Sequence, residues 1–113
     1  LTSQRLKFRG FKGPRVSKYG SRRCEYDGQK FDSMKECDYY KRLKLLQRAG
    51  DVLMFLRQVP FHIPGDVKYL VDFQIFWASG EVGFVDVKGF KTAEYKLKKK
   101  LVEHHYPIVI EEA

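Results

Sequence analysis

Three residues within a largely apolar stretch could do chemistry together: Asp72, Asp86 and Lys88. Lys68 to Trp77 reads as a strand, in which side chains alternate between faces. Leu70, Asp72, Gln74 and Phe76 then share one face, and Tyr69, Val71, Phe73, Ile75 and Trp77 share the plainly apolar other. Glu81 to Lys88 reads as a second strand, with Val82, Phe84, Asp86 and Lys88 on one face. Ala78-Ser79-Gly80 between them makes a three-residue hairpin loop, which pairs Trp77 with Glu81 and sets Asp72 opposite Asp86. Directly opposed residues have Cβ atoms about 4.5–5.5 Å apart, and two carboxylates that close repel each other. A hard divalent cation turns this repulsion into a site, since Mg²⁺ takes a few carboxylate oxygens and fills its shell with water and substrate phosphate. A two-residue loop would oppose Asp72 to Val87 instead, so the site depends on register. Lys88, two residues beyond Asp86 on the same face, can orient or help deprotonate a water, or stabilise charge on a phosphate oxygen.

The elements around this pair position a third acid. Ser33 is an N-cap candidate with Glu36 three residues on, the spacing of a capping box. The helix it opens runs to about Ala49, where Gly50 suits the left-handed closing position, and Tyr39, Tyr40, Leu43 and Leu46 form its apolar stripe. Glu36 falls at the edge of that core-facing side. From there it could serve as an outer ligand or a supporting base, or only as a cap. Before the helix, Glu25 to Lys30 reads as a tight turn about Asp27-Gly28, with the form of a small hairpin. After it, Val52 to Val59 is a strand, and Pro60 and Pro64 disrupt the segment beyond. Thr92 to His105 is a second helix with Ala93, Leu97, Leu101 and His104 inward and the lysines outward; Pro107 stops it, and Ile108 to Glu111 is a short closing strand. The order α-β-β-β-α-β predicts an α+β (mixed α/β) domain, a roughly four-stranded mixed sheet flanked by helices.

The charge is unevenly placed. The 113 residues carry a net +8, and residues 1–23 contribute eight Lys and Arg with no acid. With Gly10, Gly13, Pro14 and Gly20 as breakers, this segment reads as a flexible basic arm ahead of a folded domain over residues 24–113. A second basic stretch holds Lys91, Lys96, Lys98, Lys99 and Lys100 against Glu94 alone. Two concentrated segments of this kind suit a phosphate backbone, with Arg15, Lys18, Arg22, Arg23, Lys91, Lys96, Lys98 and Lys99 as the DNA-contacting candidates. No apolar run is long enough to span a membrane, and no secretory signal is evident. Cys24 and Cys37 fit no zinc spacing and read as free thiols of a reducing cytoplasm. Adjacent His104 and His105 point apart on a helix and His62 stands alone, so histidine metal ligation is not expected.

Asp72 in Y-L-V-D-F, followed after the hairpin by Asp86-Val87-Lys88, resembles the signature of the PD-(D/E)XK nuclease superfamily, with Val71 where the signature's proline usually stands. The helix with Ser33-Met34-Lys35-Glu36 looks like that superfamily's helix-borne acid, and the order of elements is similar to its core. More narrowly, F-D-S-M-K-E, L-L-Q-R-A-G, D-V-K-G-F-K-T and Y-K-L-K-K-K-L resemble a small phage-encoded family of Holliday junction resolvase-like endonucleases. The resemblance covers roughly residues 18–112. It implies Mg²⁺-dependent hydrolysis of DNA phosphodiester bonds, with Mn²⁺ able to substitute and no small-molecule cofactor. It also implies Asp72, Asp86 and Glu36 at the metal, Lys88 catalytic and Glu36 supporting catalysis. Branched DNA is the implied substrate, a homodimer the implied state because a four-way junction needs paired cuts, and the bacterial host's nucleoid the implied location. Two rival readings stay open: a non-catalytic nucleic-acid-binding module, in which the acids are incidental, and an accessory phage protein that binds another protein.

Overall fold

The structure is a computed structural model and describes residues 24–87, 89 and 91–113. The basic arm of residues 1–23 and Lys88 lie outside the described residues. The chain opens with an antiparallel hairpin of β1 (Cys24–Tyr26) and β2 (Gln29–Phe31). Its two turn residues, Asp27 and Gly28, have φ of 58° and 73°, the positive pair that a twisted two-residue hairpin demands. Helix α1 (Met34–Ala49) comes next; the Ser33 hydroxyl accepts from the Glu36 N–H at 3.1 Å, and Gly50 closes the helix at φ 92°. Then come β3 (Val52–Ile63), β4 (Val67–Trp77), β5 (Val82–Asp86), helix α2 (Ala93–His105) and β6 (Ile110–Glu112). The sheet order is β3-β4-β5-β6, with two antiparallel pairings and a parallel one made through α2. The domain is thus α+β with a mixed four-stranded sheet and an added two-stranded one. Among the described residues no helix is long and apolar enough to cross a membrane.

The hairpin loop has the length that the site requires. Phe73 pairs with Val85 and Ile75 with Gly83, while the Trp77 N–H donates to the Glu81 carbonyl at 2.9 Å. That register sets Asp86 across from Asp72.

Four expectations need correction. First, β3 does not end before Pro60 but pairs through it to Ile63. It is an edge strand, where a missing N–H on the open side forfeits no ladder bond. Second, α2 buries Tyr95 and Val102, while Leu97 is 58% exposed and Leu101 36%. Both sets have helical spacing, so periodicity alone cannot choose the inward face; Tyr95 and Val102 fill the hollow beside Tyr69, Val71 and Ile110. Lys98 and Lys99 consequently flank the buried face and are half-buried. Third, Cys24 and Cys37 are joined as a disulfide that ties β1 to α1, with Cα atoms 6.2 Å apart, and are not free thiols.

The fourth correction concerns the faces of β4. Along β5 the neighbours Val85 and Phe84 pack into different cores, Val85 with the residues of α1 and Phe84 with those of α2. The two helices therefore cover opposite faces. In β4, Phe73 and Ile75 pack on the α1 side, yet Val71 and Tyr69 pack on the α2 side. In β3, Phe55 lies against Tyr40 of α1, whereas Phe61 lies against Phe84 and Tyr106. A regular strand keeps residues two apart on one face, so the alternation breaks at Gln58 and Asp72. Gln58 has φ 53°, and Tyr69 to Trp77 do not share a single face.

Candidate functional site

The break in alternation is where the acids gather. Arg57 pairs with Phe73 and Val59 with Val71, so Gln58 and Asp72 stand at one level of β3 and β4; Asp86 continues the row in β5. There β4 and β5 are joined by side chains. The Asp72 N–H donates to Asp86 Oδ1 at 3.0 Å, and the Val87 N–H donates to Asp72 Oδ2 at 2.9 Å. Each carboxylate thus accepts from the backbone of the facing strand. The Tyr69 hydroxyl donates to Asp86 Oδ2, an approach possible only because Tyr69 has crossed to the α2 side.

Glu36 arrives from α1. Its Oε2 accepts from Gln58 Nε2 at 3.1 Å, and the same nitrogen donates to Asp72 Oδ1, also at 3.1 Å. Arg57 Nη2 lies 3.4 Å from Glu36 Oε2. Arg57 is held by the first hairpin: its guanidinium stacks 4.0 Å from the Phe31 ring and donates to Gln29 Oε1 at 2.7 Å and the Lys30 carbonyl at 3.1 Å. Glu36 is therefore more than a cap residue; its backbone N–H meets Ser33 while its carboxylate faces the site.

Glu36, Asp72 and Asp86 are the buried polar or charged residues among those described, at 4%, 5% and 0% exposure. Isolated carboxylates are rarely buried, because desolvation penalises the charged form. Three of them, linked through Asp72, are a costly arrangement, and buried ionisable clusters of this kind are candidates for functional sites. Burial raises the Glu36 carboxyl from 4.5 to about 7, and the charge of Asp72 adds to the rise against the opposing pull of Arg57. Tyr69 is pushed up by burial and by its bond to Asp86. Tyr95, whose ring centroid lies 6.3 Å from that of Tyr69, is raised by burial and by donating to Glu112 Oε2 at 2.9 Å. Both hydroxyls stay protonated, and that of Tyr69 is a fixed donor to Asp86.

The structure thus joins Asp72 to Asp86 through backbone bonds and to Glu36 through the Gln58 amide. Lys88 and the arm residues Arg15, Lys18, Arg22 and Arg23 lie outside the described residues. Of the helix lysines, Lys98 pairs with Glu94 at 2.9 Å and Lys99 with Glu103 at 3.5 Å, each one turn along α2. Lys91 lies 3.6 Å from Glu112. Lys96 is exposed and has no ion pair among the described residues. Two contributors escape a reading of the sequence. Arg57 reaches Glu36 only through the tertiary fold, and Tyr69 is three residues from Asp72, a spacing that regular alternation puts on the other face. Gln58 carries only a weak signal, a polar side chain in an apolar strand.

Among the described residues, no group of three or more His, Cys, Asp or Glu side chains is placed to hold a metal ion. Mg²⁺ does not need such a group, since one or two carboxylates with waters and substrate phosphate satisfy it. The donors here are hard oxygens, and Gln58 Nε2 already lodges one small positive group between Glu36 and Asp72. Asp72, Asp86 and Glu36 offer carboxylate oxygens of the kind such an ion would take. A family model described as "Protein of unknown function (DUF1064)" matches residues 16–112. No curated protein and no solved structure matches the chain.

Proposed function

The chain belongs to this family of unknown function, and from the site itself we propose that it is a Mg²⁺-dependent DNA endonuclease of the PD-(D/E)XK kind, acting on branched DNA such as Holliday junctions. The observation that carries the proposal is the burial of three carboxyl groups around Asp72, with Asp86 beside it in the sheet and Glu36 of α1 joined to it through Gln58. Asp72 and Asp86, with Glu36 from α1, would hold the ion, and Mn²⁺ would serve in its place. A bound divalent ion supplies a more acidic water and neutralises charge on a phosphoryl oxygen. The chain's own residues do the rest. Tyr69 and the Asp72 N–H hold the Asp86 carboxylate in one orientation. The Val87 N–H does the same for Asp72. Glu36 can accept a proton from an attacking water. Lys88 is assigned the remaining charge on the phosphate oxygen.

DNA would be held by the basic arm and by Lys91 and Lys96, with Lys98 and Lys99 released from their helix pairs to phosphate. The Lys98–Glu94 pair is open to solvent on the Glu94 side, and exposed ion pairs are worth about 1 kcal/mol or less, so that exchange costs little. Two copies would make the paired cuts that a four-way junction requires. The disulfide withdraws the thiol argument for a reducing cytoplasm, and a place at the host nucleoid rests on the substrate alone.

One observation favours the binding-module reading. The carboxylates of Asp72 and Asp86 accept backbone N–H groups where β4 and β5 part, a role that requires no chemistry. Metal discriminates between the two. The test is cleavage of linear, flap, fork and four-way DNA with Mg²⁺, Mn²⁺ or EDTA. Metal-dependent cutting, strongest on the branched forms, is expected; DNA binding with no cutting under any metal would favour the module.

A further inference from the structure

Gln58 takes no part in the chemistry proposed above, yet its geometry is unusual. It lies inside β3 with φ 53°, a left-handed backbone that costs a residue with a side chain on the order of 1–3 kcal/mol. Its amide then reaches acids from two other elements. One nitrogen, Nε2, donates to Glu36 Oε2 of α1 and to Asp72 Oδ1 of β4, each at 3.1 Å. A primary amide is the one neutral side-chain group with two N–H donors on a single nitrogen, so it can sit between two carboxylates as a small cation would. An Ala or Leu at this position would remove the donor that Glu36 and Asp72 share. Arg57 does not replace it, since that guanidinium meets Glu36 from the hairpin side while bound to Gln29 and Lys30.

Resting on the metal-dependent reading above, we propose that Gln58 is a placeholder for the cation. It is a positioning residue whose amide nitrogen holds Glu36 and Asp72 together in the cation's absence and withdraws when the cation enters. The kinked backbone at φ 53° lets one side chain span both acids. Because the amide and the ion contend for the same oxygens, Gln58 weakens metal binding while keeping the cation-free protein folded.

The experiment compares wild type, Gln58→Met and Gln58→Asn, with Asp72→Asn as reference, by Mn²⁺ binding calorimetry and by thermal melts in EDTA and in Mg²⁺ at about pH 8, above the range in which Glu36 titrates. Met keeps the length and loses the donors. Asn keeps an amide too short to span both acids, and it tolerates positive φ well, so it guards against a Met variant that fails to fold. Both Gln58 variants are expected to bind Mn²⁺ more tightly, by roughly tenfold for the loss of one pair of charge-assisted bonds. Their Mg²⁺-induced rise in Tm should exceed that of wild type. A Tm change equal in EDTA and Mg²⁺ with unchanged Mn²⁺ affinity would make Gln58 a plain structural residue and overturn the proposal. Weaker Mn²⁺ binding would make it a ligand and also overturn it. Wild-type binding that is lost in Asp72→Asn but unmoved in both Gln58 variants defeats the placeholder alone. Absence of binding in wild type defeats the metal reading and the placeholder with it.

Discussion

At the scale of the residue, behaviour turns on how the buried charges are satisfied. Glu36 is the most sensitive. Its carboxyl keeps its proton to about pH 7 in the folded chain, against 4.5 for the free group. The folded state therefore binds a proton that the unfolded state has lost throughout that window, and stability falls as pH rises from 4.5 to about 7. Below the window both states are protonated; above it both are ionised and the loss is complete, on the order of 3 kcal/mol. Melts in EDTA should show Glu36→Gln with a flatter decline than wild type between about pH 5 and about pH 8, and parallel curves would show that the carboxyl does not titrate there. Tyr69 is a second handle. Tyr69→Phe leaves Asp86 Oδ2 without this donor in a fully buried place, and chemical denaturation should report a loss of about 1–3 kcal/mol. Lys88→Ala should slow single-turnover cleavage by roughly 10²-fold with little change in DNA affinity; an affinity loss with an unchanged maximal rate would mark Lys88 as a plain phosphate contact.

At the scale of the element, the reversed face of α2 is directly testable. Val102→Ala removes a wholly buried side chain and should cost roughly 2 kcal/mol, whereas Leu97→Ala, at an exposed position, should stay within about 0.5 kcal/mol. Equal losses in urea unfolding would contradict the packing. This helix shows where sequence ceases to be informative. Tyr95 with Val102 and Leu97 with Leu101 both repeat at helical spacing, and only the shape of the partner surface decides between them. The hairpin was legible for the opposite reason: the three-residue loop and period of two leave one register, and Asp72 opposite Asp86 comes directly from it. The element order, Ser33, Gly50 and the Asp27-Gly28 turn were legible because caps and turns are local chemistry. The break at Gln58 and Asp72 was not, since both strands keep an unbroken β pattern in sequence and the positive φ accompanies contacts with Glu36 of another element. Arg57 was hidden likewise, because its partners lie more than twenty residues away.

At the scale of the whole molecule, chemistry and attachment are separable. The acids occupy the row shared by β3, β4 and β5 and approached by α1, whereas much of the positive charge lies elsewhere in the chain: residues 1–23 alone bring eight of the 22 Lys and Arg. On duplex DNA each phosphate neutralised contributes a slope of roughly −0.9 in log affinity against log salt. Deleting residues 1–17 should flatten that slope and weaken binding to every DNA shape, while single-turnover cleavage at saturating DNA persists. An unchanged slope, measured by binding at several salt concentrations, would assign attachment to Lys91, Lys96 and their neighbours instead. Metal-dependent cutting at the buried acids is tested most directly by cleavage of a four-way junction by Asp72→Asn and Asp86→Asn in Mg²⁺, with DNA binding measured on the same preparations. Both variants are expected to stay bound, as tightly as wild type or more so, and not to cut. Cutting at the wild-type rate by either variant would contradict the assignment of these acids to the chemistry.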